Sequence, residues 1–272
     1  MQYEPIKRSL GKFFSGAPYK RKLLYSLVDL LLLRTWHVKK TLRVVGLKLS
    51  PDASVLDAGS GMGQYSWRMC RMNPGWHITG IDINSTEVAD GNDFFGRTGK
   101  SEKVKFITGD LTTFRKPDSF DLILSVDVME HINDDEKVFG NFFSSLKDKG
   151  YLLISTPSDR GGSDVHESED ESFIGEHVRN GYSIEEIRSK LSRAGFTSIS
   201  TEYTYGTPGS ISWKLSMKYP VKMLNLSKLF FILLPFYYII IFPIALILNF
   251  FDVRFRHSTG TGLLVTAQKE KL

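Results

Sequence analysis

Val55-Leu56-Asp57-Ala58-Gly59-Ser60-Gly61-Met62-Gly63 decides the fold of this chain. An aliphatic run meets an acid, and three glycines then alternate with other residues. The order reads as a buried strand entering a tight turn, with a helix following over 63–72. Glycine admits positive φ and leaves no Cβ in the way of a ligand. The helix start behind it offers unpaired N–H groups. Any tight strand–helix connection can use glycines, so the neighbours have to decide.

Outward from this turn, short β-branched or aliphatic runs alternate with helical stretches. Strands are expected near 54–57, 77–82, 104–108, 121–125 and 151–155, with helices near 85–96 and 134–147. Such alternation implies parallel βαβ units with helices on both faces of a doubly wound α/β sheet. Two further strands are expected near 197–203 and 262–268. Between the fifth and sixth strands, Ser183-Ile184-Glu185-Glu186 is a capping box that starts a helix, and Ala194-Gly195 ends it. Residues 158–182 are polar, acidic and glycine-containing, a long loop of the kind that serves as a lid or is disordered. No internal repeat is present.

The glycine spacing departs from the dinucleotide fingerprint, because Gln64 stands where that pattern wants its last glycine or alanine. Instead, Asp57 precedes the turn, Gly80-Ile81-Asp82-Ile83 ends the second strand, and Thr108-Gly109-Asp110-Leu111 ends the third. A carboxylate at Asp82 can accept from both ribose hydroxyls of a nucleoside, and Asp110 suits an adenine amino group. Three acids at consecutive strand ends line one crevice. No phosphate-binding base is evident, and a sulfonium cation tolerates an acidic, carbonyl-lined pocket. The ligand read from these residues is S-adenosylmethionine (SAM).

With these motifs in place, the chain resembles the class I SAM-dependent methyltransferases, closest to the small-molecule branch that includes quinone-biosynthesis enzymes. Val55–Tyr65, Ile81–Asn84, Gly109–Leu111, Phe120–Ile132 and Tyr151–Pro157 carry the resemblance, which covers roughly 50–205 and the last strand. It implies a Rossmann-like seven-stranded sheet of order 3-2-1-4-5-7-6 with the final strand antiparallel. It also implies that Gly59, Ser60 and Gly61 hold the methionine part of SAM, Asp82 the ribose and Asp110 the adenine. Gln64, Tyr65, Ile83, Leu111, Ser125 and Asp127 fall in the same motifs and join the expected cofactor site.

Methyl transfer is a displacement at an activated carbon, so the protein supplies alignment and, for some acceptors, a base. Ser125-Val126-Asp127-Val128 stands where amino-group methylases of DNA carry an Asn/Asp-Pro-Pro-Tyr/Phe signature, which argues against that chemistry. His131, after Glu130, is either the base or an imidazole that packs beside the cofactor. His166 and His177 in the acidic loop are further base candidates, and Glu176-His177-Val178-Arg179 reads as a lid contact. Cys70, the one cysteine, reads as inert core, and it excludes an internal disulfide. No metal site is expected.

Charge is unevenly spread. Residues 1–50 carry eleven Lys/Arg against Glu4 and Asp29, so the remaining 24 bases face 28 acids. A basic arm suits an anionic surface, or is simply a solvated helix face. Residues 20–49 read as helical, and Leu23–Leu33 is too short to span a bilayer, so it covers a core or lies on a membrane surface. The arm is leucine-rich and lacks regularly spaced stacking aromatics, so no nucleic-acid role is expected. The N-terminus lacks the layout of a secretory signal.

Leu229–Phe251 holds 23 residues without a charge, long enough to cross a bilayer of about 30 Å. The last strand must nevertheless pair in the same sheet as its predecessor, and Pro235 and Pro243 are expected to break the run into pieces of about two turns. A re-entrant or in-plane helical hairpin follows, with Trp213, Tyr237 and Tyr238 at the interface and Lys214, Lys218, Lys222, Lys228, Arg254 and Arg256 at headgroups. A cap over the protein's own core, or a homodimer interface, is the alternative.

The expected division is a basic helical arm (1–49), a SAM-binding core (50–205), a hydrophobic membrane-associating insertion (206–258) and the final strand (259–272). The function expected is methylation of a lipophilic or lipid-linked small molecule at the cytoplasmic face of a membrane. A soluble methyltransferase with the insertion as a dimer contact, or a non-catalytic membrane adaptor, stands beside it.

Overall fold

A computed structural model describes residues 17–161, 178–227 and 229–270. The helical arm is two helices, α1 (Pro18–Leu31) and α2 (Leu33–Gly46), because Leu32 is extended between them. Then follow β1 (Ser54–Ala58), α3 (Gln64–Met72), β2 (His77–Asp82), α4 (Ser85–Arg97), β3 (Val104–Thr108) and β4 (Phe120–Val126). A single 3-10 turn (Met129–His131) leads to α5 (Asp135–Ser145), β5 (Leu146–Pro157), α6 (Ile184–Ala194) and β6 (Ser200–Thr204). Ahead of β7 (Gly262–Gln268) come α7 (Thr207–Trp213), a π-type segment (Lys214–Lys218), α8 (Tyr219–Leu226) and α9 (Phe230–Arg254).

The seven strands run β3-β2-β1-β4-β5-β7-β6, and β7 is antiparallel to both neighbours. This is the doubly wound α/β sheet expected. Period-two alternation sorts the core onto two faces. Leu56, Ile123 and Leu152 pack with Phe139, Phe142 and Leu191 of α5 and α6. Val55, Leu122 and Leu153 pack on the other face with Leu42, Trp67 and Phe94 of α2, α3 and α4. The Ser183 hydroxyl accepts from the Glu186 amide, and Gly195 takes φ 108°, so α6 is capped at both ends. β5 starts earlier than expected, at Leu146, because α5 ends at Ser145 and the chain passes straight into register with Phe120.

The insertion is a helical hairpin. The junction residues Lys214, Lys218 and Tyr219 are all helical, so α7, the π-type segment and α8 form one arm, and α9 is the other. The arms run antiparallel: Gly209 donates to Asp252 at 2.8 Å, Ser212 to the Ala245 carbonyl at 3.2 Å, and Tyr237 to the Leu215 carbonyl at 2.7 Å. The expectation that Pro235 and Pro243 break the run is corrected here, since α9 continues through both for 25 residues. Each proline removes one backbone bond. Contacts from the first arm hold the helix across both sites. The two tyrosines expected at the interface also make contacts within the hairpin. Pro220 cannot donate to the preceding turn, and the Leu215 and Ser216 carbonyls accept instead from Tyr237 and Tyr238, each at 2.7 Å. These hydroxyls staple the hairpin.

At the hairpin's foot, Asp252 is fully buried. Its carboxylate takes His37 Nε2 at 2.8 Å, the Tyr205 amide at 3.2 Å and the Gly209 amide at 2.8 Å, with His257 Nε2 at 3.3 Å. Burial pushes the carboxyl's pKa up, but the His37 and Gly209 hydrogen bonds and the two imidazoles outweigh it and hold it below the usual carboxylate value. Asp252→Ala strands these donors and is expected to cost about 3 kcal/mol in urea unfolding at neutral pH. A depressed carboxyl stabilises the fold above its unfolded pKa and loses that contribution as pH falls through the folded value. The variant's deficit should therefore shrink in acid.

Candidate functional site

The glycine turn folds as its sequence demands. Gly59, Gly61 and Gly63 take φ of 75°, 47° and 80°. The Gly59 and Ser60 amides donate to the Ile81 carbonyl at 2.8 and 2.9 Å, which ties the turn to the end of β2. A Cβ on Gly59 would overlap the Val128 side chain, and one on Gly63 would crowd Phe106.

The three carboxylates stand at the ends of three adjacent strands. Asp57 pairs in register with Gly80, and Asp82 with Thr108, so the alternation puts Asp57 and Asp82 on one side of the sheet. Their environments differ. Asp82 accepts from the Gly61 amide at 2.8 Å and the Asn84 amide at 2.9 Å, clamping the turn to β2. Asp110 is exposed and accepts from the Thr112 amide at 2.8 Å. Asp57 is buried beneath the turn and accepts from the Ser66 hydroxyl at 2.6 Å. Burial raises its pKa to about 6, with the Asp82 charge adding to the shift. Ile83 is exposed beside Asp82, and Leu111 is buried.

Ser60 Oγ, Tyr65 Oη and Ser125 Oγ are buried without a hydrogen-bond partner among the described residues. Buried polar groups seldom stay unpaired. The Ser60 and Ser125 hydroxyls, beside this glycine-rich turn, could hold a polar ligand, while the Tyr65 phenol faces the Arg34 guanidinium. Gln64 is already engaged, its amide donating to Asp29 at 2.9 Å.

The arm reaches this turn directly. Arg21, buried, ion-pairs with Asp90 at 2.6 Å and donates to the Met62 carbonyl, as does Tyr25. Asp29 pairs with Arg68. These contacts make α1 a cover over the turn and α3.

A cavity of about 260 Å³ opens at the ends of β4, β5 and β6, lined by Arg34, Asp127, Thr156, Tyr205, Ser210 and Trp213 among others. Arg34 ion-pairs with Asp127, and its backbone amide donates to Tyr205 Oη at 3.0 Å. Burial pulls the Arg34 pKa down, but the Tyr65 and Tyr205 phenols and Glu130 outweigh it and hold the cation above its usual value. Asp127 adopts φ 51°, with its amide on the Ser155 carbonyl at 2.8 Å. Sequence reading missed Arg34, Tyr205 and Trp213, because long-range folding alone brings them to Asp127.

His131 is exposed on the 3-10 turn and does not line this cavity. Its neighbour Glu130 is buried and accepts from Thr156 Oγ1 at 3.2 Å, with its carboxyl raised by burial. His166, Glu176, His177, Lys228 and most of the expected lid lie outside the described residues. The lid's ends are tied: Tyr182 donates to the Pro157 carbonyl at 3.1 Å, and Asp159 to the Tyr182 carbonyl at 3.0 Å. Arg179, expected as a lid contact, ion-pairs with Asp135 and donates to the Ile132 carbonyl at 2.6 Å. Cys70 is buried, as expected.

A methyltransferase domain family model matches residues 49–198. The chain belongs to this family, the class I SAM-dependent methyltransferases. It is 32% identical over 157 residues to a phosphoethanolamine N-methyltransferase of Triticum aestivum, covering 57% of this chain and 30% of that protein. It is 26% identical over 183 residues to a sterol 24-C-methyltransferase of Gibberella zeae, covering 62% of this chain and 46% of that protein. The chain thus spans less than half the length of these relatives. Among solved structures, phosphoethanolamine N-methyltransferase 2 of Haemonchus contortus, in complex with SAM, matches with TM-score 0.58 at 18% identity, over 85% of this chain and 53% of that one. A cyclase, SpnF, matches with TM-score 0.55 at 18% identity, over 84% and 81%. These two share the fold.

Two outcomes test the turn. Gly59→Ala forces a side chain into positive φ and against Val128, and is expected to cost about 2 kcal/mol in thermal or urea unfolding. Asp57 titrates higher in the folded chain, near 6, than unfolded, so wild-type stability falls as pH rises through that window. Asp57→Asn should flatten that slope, which urea titrations at a series of pH values would read.

Proposed function

We propose that this chain transfers the methyl group of SAM to a lipophilic or lipid-linked small molecule at a membrane surface, on the cytoplasmic face. The observation that carries this reading is the cavity, whose wall is shared between the sheet ends and the foot of the apolar hairpin through Ser210 and Trp213. An acceptor there meets polar groups at Arg34, Asp127 and Tyr205 while its apolar part extends along the hairpin. The exposed Leu23, Leu27 and Leu31 of α1 add a second apolar stripe at one helical face. A sterol methyltransferase among the relatives favours a lipophilic acceptor.

Bound SAM supplies a methyl group on sulfonium, already activated for displacement. Gly59, Ser60 and Gly61 leave room for its methionine part, and the unpaired Ser60 and Ser125 hydroxyls fit a polar ligand beside them. Asp82 would take the ribose, with Ile83 beside it, and Asp110 the adenine, over Leu111. Gln64 braces the turn through Asp29. The chain's own work is then orientation. Arg34, held charged, positions an acceptor against Asp127, and the covers from α1 and the hairpin exclude water. Asp127, which lines the cavity, is better placed than His131 to take a proton from the acceptor.

The test is methyl transfer from radiolabelled SAM into a membrane lipid extract. Label is expected in the organic phase. Asp82→Ala, which loses charge-assisted hydrogen bonds worth about 2 kcal/mol, should weaken SAM binding roughly thirtyfold by calorimetry. Label confined to water-soluble products would overturn the lipophilic acceptor. SAM binding without any methylation would favour an adaptor.

A further inference from the structure

The two arms of the hairpin differ in a way that fixes how it can meet a bilayer. In the first arm, Gly209, Ser212 and Pro220 are buried, and the Ser212 hydroxyl and Ser216 carbonyl both bond to α9. Lys214, Lys218 and Lys222 each lie two residues beyond 212, 216 and 220. Two residues turn about 200° on a helix, so the lysines fall on the side away from α9, Lys222 exposed and Lys214 and Lys218 half-buried. The π-type segment winds through a smaller angle per residue than an α-helix, which offsets the drift of a row spaced by four. The second arm is the opposite. The most apolar stretch of α9 has mean hydropathy 2.6, and only 6% of it is buried. Phe231, Ile232, Phe236, Ile240, Ile247 and Phe250 expose large apolar side chains from one end to the other.

An upright hairpin would carry its tip deepest. Lys222 lies only five residues from Ser227 at the turn, about 8 Å along the axis, so it and Lys218 would enter hydrocarbon. Ammonium groups at that depth are expensive. Lying flat, the same hairpin buries all of α9 and leaves every lysine level with the phosphates.

We propose that the hairpin lies in the plane of an anionic lipid bilayer, with α9 among the acyl chains and the lysine row of the first arm at the headgroups. This rests on the membrane reading given above and adds the orientation and the lipid charge. It places the foot, and the cavity wall formed by Ser210 and Trp213, at the depth of the headgroup boundary, so an amphiphile can reach Arg34 and Asp127 without leaving the surface.

The experiment uses the full chain with vesicles of phosphatidylcholine containing phosphatidylglycerol. Cys70 is buried, so Ile232→Cys, Ile239→Cys and Phe250→Cys, which share one exposed face of α9, can each carry one fluorophore. Nitroxide lipids with shallow and deep labels then report depth. Equal depth at all three positions is expected. An Ile232 label deepest and a Phe250 label shallowest would overturn the flat orientation while leaving membrane binding intact. No co-flotation with vesicles would overturn the membrane reading and this one together. A variant with Lys214→Gln, Lys218→Gln and Lys222→Gln should bind the anionic vesicles about a hundredfold more weakly and pure phosphatidylcholine unchanged. No loss, or equal loss on both, would overturn the placement of the lysines. Unchanged SAM titration in each variant shows that the core is folded.

Discussion

Strand β7 lies between β5 and β6 and runs against both. Whatever is inserted ahead of it must leave β6 and return to the same edge of the sheet. That constraint makes a hairpin of the insertion and rules out a single crossing of a membrane by its long apolar helix. The return is secured at Asp252, where the end of α9 meets His37 of α2, the Tyr205 amide after β6 and the Gly209 amide at the start of the first arm. A buried carboxylate is costly unless its oxygens are fully engaged. Here His37 and the 205–209 segment, far apart in sequence, provide the engagement, so neither can be displaced alone.

The N-terminal helices join the two halves of the site. Arg21, Tyr25 and Asp29 of α1 hold the glycine turn and α3, and Arg34 at the start of α2 reaches Asp127 in the cavity. The break at Leu32 lets one short stretch of chain face both ways. Part of the positive charge in this arm is therefore consumed inside the molecule: Arg21 and Arg34 are paired with Asp90 and Asp127. A count of bases in the sequence overstates what the arm offers to an outside surface.

The sheet was legible because its signals are local. Each strand carries its own aliphatic run, and the glycine turn with Asp57, Asp82 and Asp110 marks three strand ends in order. The capping box at Ser183 and the glycine at 195 bound α6 as read. The hairpin was legible only in outline. Pro235 and Pro243 are helix breakers by local rule, yet tertiary contacts from Ser212, Leu215 and Ser216 hold α9 together. The tyrosines' contacts within the hairpin were not legible, because the Leu215 and Ser216 carbonyls they meet lie 22 residues away. Arg34 and Tyr205 were invisible as site residues for the same reason: their partners are remote in sequence.

The cavity also bears on what the fold leaves open. The family match covers 49–198, and within it the cavity takes Asp127, Ser155, Thr156 and Pro157. Arg34, Thr204, Tyr205, Ser210, Trp213, Thr261 and Gly262 come from outside that span. Most of the cavity wall thus comes from the N-terminal helices, the hairpin and the last strands. Relatives whose names specify acceptors as unlike as phosphoethanolamine and a sterol share the core with this chain, and so, in fold, does a cyclase. Under the proposed function, the parts outside 49–198 then bear on the acceptor. In this chain those parts are an arginine held charged beside buried phenols and an apolar hairpin with one lysine-bearing edge, a pairing of polar grip and greasy approach suited to an amphiphile.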